Sequence, residues 1–256
     1  MSIPGFKEAG SGDTIVFLHG IGGNRHAFDA QLSELSRRYR CVSWDMPGYG
    51  GSPAMAEMTF AGLSDALAAL LDHLELPSAH LIGHSMGGMV AQTLALARPD
   101  RVRSLVLAQT TARFGKPGSD WQEQFLDSRL KPLEEGKTPA QFARELITAM
   151  FGDPSRTEAI DEAVATMSPL PADVYRQVLT CLVGFDLQAS LSEIRAATLC
   201  LAAEFDQTAP PRTMEKMAAQ IPAGRYDCLP GAGHLAYVET PSAFTRAVDE
   251  FLGHLS

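Results

Sequence analysis

The chain has 256 residues, 45% hydrophobic and 20% charged. That is enough for one globular domain, or a core with an insertion, burying about three quarters of its unfolded surface. Lys and Arg number 21 against 30 Asp and Glu, a formal net charge of −9 with no basic stripe, which excludes nucleic acid as a partner. The longest apolar runs, such as Ala66–Leu71, are core-sized and fall short of the ~18 residues of a membrane span.

Met1–Asp13 has no basic segment leading into an apolar one, so no secretory leader is expected. The four cysteines, Cys41, Cys181, Cys200 and Cys228, are widely spaced without a CxxC pair, and three sit inside apolar runs. They read as reduced core residues of a cytoplasmic protein. Nothing in the sequence sets the oligomeric state.

In chain order, thirteen residues with room for one short strand at Gly5–Ala9 precede the run Thr14–Leu18. That run, bounded by His19-Gly20-Ile21-Gly22-Gly23, reads as a strand buried on both faces. A helix of mixed polarity is expected over Ala27–Arg38, then a strand over Arg40–Trp44 closed by turn formers from Asp45 to Ser52. Phe60, Leu63, Leu67, Leu70, Leu71 and Leu74 lie on one helical face. Strand Ala79–Gly83, helix Met86–Arg98 and strand Val102–Ala108 follow.

After Gln109 the rhythm breaks into helices over Ser119–Lys131, Thr138–Met150, Thr157–Met167 and Ala172–Leu182, separated by turns at Lys116–Gly118, Gly152–Pro154 and Ser168–Pro171. It resumes with strand Thr198–Ala202, a helix near Arg212–Gln220 and strand Arg225–Leu229. A final helix has Thr240 as N-cap, Pro241 at N1 and an apolar face from Phe244 to Leu255. Strands alternating with helices predict a mostly parallel sheet in a three-layer α/β fold. The expected division is a core over 1–109 and 190–256, with a helical insertion over 110–189.

Gly83-His84-Ser85-Met86-Gly87 is a G-x-S-x-G pattern between a strand and a helix, where the turn is too tight for large neighbours and aims the serine hydroxyl outward. A serine needs a base to take its proton and an acid to orient that base. Both belong at carboxyl ends of later strands. Asp206 follows strand Thr198–Ala202, with Glu204 as the rival acid, and His234 follows a Gly-x-Gly turn after strand Arg225–Leu229. The order Ser85, Asp206, His234 is that expected for such a fold. His26, His73, His80 and His254 read as ordinary surface or core residues. Backbone N–H groups of Met86 and of Ile21, with Gly22 as its alternative, are candidates for an oxyanion hole. No metal-ligand cluster or phosphate loop appears, so no cofactor and no metal are implied.

The motifs His19-Gly20-Ile21-Gly22, Asp45–Ser52, Gly83–Gly88 and Gly231-Ala232-Gly233-His234 together resemble the α/β-hydrolase superfamily, and the small branch of 3-oxoadipate enol-lactonases and carboxylesterases in particular. The resemblance implies the α/β-hydrolase fold with about seven strands rather than eight, and assigns the insertion to the variable lid. It implies structural roles for His19 and Asp45. The serine sets the chain apart from the haloalkane dehalogenase and epoxide hydrolase branches.

The expected function is cleavage of a small-molecule carboxylic ester or lactone through an acyl-enzyme. C–C bond hydrolysis and cofactor-free perhydrolysis use the same triad, and a ligand receptor can keep the same shell. For substrate contacts the candidates are Trp121 and Phe125, with Arg25, Arg113 or Arg129 for a free carboxylate, although the net charge of −9 weighs against an anionic substrate.

Overall fold

A computed structural model describes residues 2–116 and 118–255; Pro117, in one of the expected turns, lies outside the described residues. The elements in chain order are β1 (Phe6–Ala9), β2 (Thr14–Leu18), α1 (Asp29–Leu35), β3 (Arg40–Trp44), α2 (Phe60–His73), β4 (Ala79–His84), α3 (Met86–Ala97) and β5 (Val102–Ala108). Then come α4 (Asp120–Glu134), α5 (Pro139–Thr148), α6 (Thr157–Met167), α7 (Ala172–Val183), β6 (Ala197–Ala203), α8 (Pro211–Ala218), β7 (Gly224–Leu229), α9 (Ala236–Glu239) and α10 (Pro241–Gly253). Short 3₁₀ helices at Pro99–Arg101 and Gln188–Glu193, and the one-turn α9, carried no periodic signal in the sequence.

The seven strands form one sheet in the order β1-β3-β2-β4-β5-β6-β7, parallel except for β1, which pairs antiparallel with β3. Every residue of β2 and β4 is buried, as continuous apolar runs in a sheet covered on both faces require. The step from β2 to β3 runs one way along the sheet, and the steps from β4 to β5 and β6 to β7 run the other. With right-handed crossovers, α1 therefore covers one face and α2, α3 and α8 the other. The strand order reverses between β2 and β4, and ligands bind outside the carboxyl ends of strands at such a point. Between β5 and β6 the chain builds the four helices α4–α7.

Three local readings differ in detail. Thr240 holds the N-cap position of α10 with Pro241 after it, as expected, but its side chain makes no capping bond; its hydroxyl donates to the Ala236 carbonyl at 3.1 Å, because α9 ends immediately before it and offers that acceptor. Leu255 lies beyond the helix end and is exposed rather than on its buried face. The α4 helix runs three residues past Lys131, through Pro132.

Close approach governs the crossing of α3 over β2. A Cβ at Gly87 would overlap the Leu18 carbonyl carbon and oxygen, and backbone cannot step aside as a side chain can. Gly87→Ala is expected to destabilise the fold by about 3 kcal/mol, whereas Gly184→Ala, with open space around its Cβ, changes stability by less than about 1 kcal/mol. Urea unfolding of both variants checks this; equal midpoints would remove the packing argument.

Candidate active site

The turn between β4 and α3 holds Ser85 at φ 51°, ψ −119°, a backbone state that L-residues enter at a cost of about 1–3 kcal/mol. The surroundings impose it. The Ser85 N–H donates to the Ala108 carbonyl at the end of β5 (2.9 Å), and its carbonyl accepts from the Thr110 hydroxyl (2.6 Å) and from Gly88 N–H (2.9 Å). A Cβ at Gly83 would sit 2.6 Å from the Gly87 carbonyl oxygen and the Gly88 Cα, so the strand and helix meet as closely as they do because both sides are glycine.

His234 follows β7 and Asp206 follows β6. The Ser85 hydroxyl lies 3.1 Å from His234 Nε2, and His234 Nδ1–H donates to Asp206 Oδ2 at 2.8 Å. The other Asp206 oxygen accepts N–H bonds from Thr208 (2.7 Å) and Ala209 (3.0 Å). Burial works to raise the Asp206 pKa, but the His234 imidazole and the donated hydrogen bonds outweigh it and hold the carboxyl below its ordinary value. Glu204 points elsewhere and accepts from Gly231 N–H at 2.8 Å. This chain of contacts can move a proton from hydroxyl to imidazole.

The loop after β2 crosses close by. A Cβ at Gly20 would come within 2.9 Å of the Ser85 Cβ. Ile21 lines the same pocket as Ser85, and its N–H makes no hydrogen bond among the described residues. Met86 opens α3, where an N–H has no acceptor inside the helix. His19, fully buried, holds this loop: its Nδ1–H donates to the Gly20 carbonyl (2.8 Å) and its Nε2 accepts from Met46 N–H (3.0 Å).

Arg25 is a correction. It lies outside the pocket, with its N–H and Nε donating to the buried Asp45 carboxylate at 2.7 Å each and Nη1 donating to the Phe6 carbonyl. A buried carboxylate demands such a partner, and Asp45 lies 20 positions further on, so no local pattern announced it. Arg113, Trp121, Phe125 and Arg129 all line the pocket, a cavity of about 300 Å³ between α4–α7 and the strand ends that opens onto Ser85 and His234. Among the described residues no group of three His, Cys, Asp or Glu side chains is placed to hold a metal ion.

Three further residues position the site. His84 lies beneath it, its ring 4.9 Å from the His234 ring and its Nε2–H donating to the His234 carbonyl at 2.7 Å. Glu239, buried and in no ion pair among the described residues, accepts N–H bonds from Gly233 (2.7 Å), Gly152 (3.1 Å) and Asp153 (2.7 Å). It joins the His234 loop to the turn between α5 and α6. Thr166 in α6 donates to the Gly22 carbonyl at 3.0 Å. His84 occupies the variable position of the serine motif, and Glu239 and Thr166 reach partners far away in sequence, so none carried a local signal.

With this geometry established, the comparisons with known proteins decide the family. The family model described as the alpha/beta hydrolase fold matches residues 13–241. The chain belongs to the α/β-hydrolase family. It is 31% identical over 247 residues to a Caulobacter protein named as a carbamate hydrolase, covering 93% of this chain and 90% of that one. It is 25% identical over 241 residues to a 3-oxoadipate enol-lactonase of Acinetobacter baylyi, covering 93% and 88%. A thermophilic esterase from Thermogutta terrifontis, solved with malate bound, superposes with a TM-score of 0.89 at 28% identity, covering 98% of this chain and 93% of that chain. The protein is therefore an enzyme of hydrolase type on an α/β-hydrolase sheet, and no helix among the described residues is long and apolar enough to cross a membrane.

Burial lowers His19 to about 4 and His84 to about 3, from 6.5. Both are neutral in the folded hydrolase, while in the unfolded chain each gains a proton below pH 6.5. Stability from this source is complete above pH 6.5 and is lost as pH falls toward 4, by about 1.4 kcal/mol per pH unit for each imidazole. Urea unfolding between pH 7.5 and 4.5 should show the slope, and His84→Gln should flatten it by one proton's worth. An unchanged slope in that variant would mean His84 does not titrate on unfolding.

Proposed function

We propose that this α/β-hydrolase is a serine hydrolase that cleaves a carboxylic ester or lactone of a small molecule. The observation that carries this reading is the hydrogen-bonded series Ser85, His234, Asp206, at 3.1 and 2.8 Å, opening into a pocket of about 300 Å³. The names of the esterase and enol-lactonase relatives support it.

In this mechanism Ser85 Oγ attacks the acyl carbon while His234 Nε2 takes its proton. Asp206 holds the Nδ1–H tautomer and stabilises the imidazolium that forms. The N–H groups of Ile21 and Met86 receive the oxyanion, where fixed donors in a water-poor site contribute most. The C–O bond to the leaving group then breaks and His234 returns the proton to it. In the second half His234 takes a proton from water, the resulting hydroxide attacks the acyl-Ser85 ester, and the acid leaves with Ser85 reprotonated. The helices of residues 110–189 act as the lid that shapes the pocket, with Trp121 and Phe125 as apolar contacts. A cytoplasmic location fits four cysteines that are all free.

The wild-type protein should label with a fluorophosphonate probe and turn over a short p-nitrophenyl ester. Ser85→Ala is expected to lose both, and Asp206→Asn to lower kcat by about 10⁴ while keeping the fold. Activity retained in Ser85→Ala would assign the nucleophile elsewhere.

A further inference from the structure

In the turn Gly20-Ile21-Gly22-Gly23 every residue but Ile21 is glycine, so the segment carrying the Ile21 N–H has little conformational preference of its own. Gly23 N–H closes the turn on the Gly20 carbonyl at 3.1 Å, with Gly22 at φ 82° in third place. That positive angle is what a type II turn demands. A chain this free stays in one turn type only if something outside holds it.

The holding group is on a helix of the insertion. The Gly22 carbonyl accepts one hydrogen bond among the described residues, from the Thr166 hydroxyl at 3.0 Å. Thr166 is half-buried near the end of α6, 144 positions away. Its hydroxyl also lies 2.8 Å from the Ala163 carbonyl, but that carbonyl sits inside α6, where the helix ladder supplies an N–H. The contact is reciprocated: Asn24 Nδ2–H donates to the Thr166 carbonyl at 3.2 Å. Met167 packs on the same turn, since a Cβ at Gly22 would stand 3.2 Å from its Cγ and Sδ.

The peptide units carry this contact to the reaction space. None is cis, so the C=O and N–H of each unit point opposite ways. Gly22 C=O and Gly23 N–H are the two ends of one unit, and Gly20 C=O and Ile21 N–H the two ends of another. The Thr166 hydroxyl therefore starts a hydrogen-bonded series that crosses both units and ends at the Ile21 N–H. His19 Nδ1–H adds a second donor to the Gly20 carbonyl at 2.8 Å. Each bond in such a series polarises the next, so the last N–H is aimed and is also a stronger donor. The Gly22 N–H is turned toward the buried Tyr49 hydroxyl, short of a full hydrogen bond, and so is not free for an oxyanion.

We infer that Thr166 is a positioning residue for the oxyanion hole, so that α6 contributes to transition-state stabilisation and not only to the shape of the pocket. This rests on the hydrolase reading above and on Ile21 as a donor within it. Thr166 touches no reacting atom and acts through the two peptide units.

Thr166→Val keeps the branched shape and removes the donor. With p-nitrophenyl butyrate its kcat should fall about 10-fold, less than the roughly 10²–10³ lost with an oxyanion donor itself, while KM changes less than about 2-fold. Thr166→Ser keeps the hydroxyl and should recover most of kcat. A trifluoromethyl ketone with a butyl chain adds to Ser85 and places an oxyanion in the hole, so its Ki should rise by the factor by which kcat falls. The corresponding trifluoromethyl carbinol forms no oxyanion and should bind as before. In protein labelled with ¹⁵N-isoleucine, the Ile21 amide proton should move upfield in Thr166→Val and return in Thr166→Ser. Should Thr166→Val not fold, Thr166→Ala also removes the donor and is read in the same assays.

Beside an active wild type, an unchanged kcat, a loss confined to KM, or an equal rise in both Ki values would each overturn the assignment, as would an unmoved Ile21 resonance. Failure of the hydrolase reading looks different. The wild type would then neither label with a fluorophosphonate nor turn over the ester, while the Ile21 resonance would still report whether Thr166 sets the turn.

Discussion

Everything in the site hangs on the backbone of Ser85. At φ 51° this residue stands where L-residues rarely stay, and the turn keeps it there because its N–H and carbonyl are bonded to the end of β5 and to α3. The same turn lets α3 begin directly under the hydroxyl, so the helix N-terminus and the free Met86 N–H face the reaction space. It also leaves room for only the smallest neighbours. Gly83 and Gly87 admit the strand and helix backbones, and Gly20 admits the next loop against Ser85 itself. In the proposed mechanism the N–H groups of Ile21 and Met86, far apart in sequence, can converge because no side chain stands between them.

A second constraint follows from the first. A serine held this rigidly keeps its hydrogen bond to an imidazole only if that imidazole is held as well, and His234 sits on a loop. That loop is fastened from below by His84, whose Nε2–H bonds the His234 carbonyl, and from the side by the Met150 carbonyl, which accepts from His234 N–H at 2.8 Å. Glu239 closes the arrangement with three backbone N–H bonds from two loops. Backbone donors can stabilise a buried carboxylate without a cation, and here they make the helices above the pocket and the imidazole below it one mechanical unit. A change in how α5 and α6 sit would be felt at His234.

How much of this the sequence revealed depends on how local each signal is. The β2, β3 and β5 boundaries were readable to the residue, because an apolar run ended by glycines or turn formers is complete within a few positions. That Ser85, Asp206 and His234 come together was readable for a related reason: each lies within a few residues of a strand end, and the sheet aligns strand ends without further information. The partners of Arg25, Glu239 and the Thr240 hydroxyl were not readable. The Arg25 side chain was taken by Asp45, Glu239 bonds Gly152 across 87 positions, and the Thr240 hydroxyl found the Ala236 carbonyl of a one-turn helix that has no period to detect. In each case a partner distant in sequence, or a short irregular element, chose among side-chain fates that looked equal beforehand.

Net charge and the charge lining the pocket differ in this chain, and the difference is one of length scale. The −9 of the whole chain is spread over a surface in salt water, where charges more than about 10 Å apart are largely screened. Many of its carboxylates are also engaged, as in the pairs Lys7–Asp29, Arg38–Asp249 and Arg98–Asp65. The pocket is a different medium. Among the described residues that line it none is an Asp or Glu, while Arg113 and Arg129 both do, and inside a narrow apolar cavity a charge acts through a lower effective dielectric. A group inside the cavity therefore meets the field of Arg113 and Arg129, neither in an ion pair among the described residues, rather than the average of the surface. The acidic balance bears on encounter from solution, and the residues lining the cavity decide what stays.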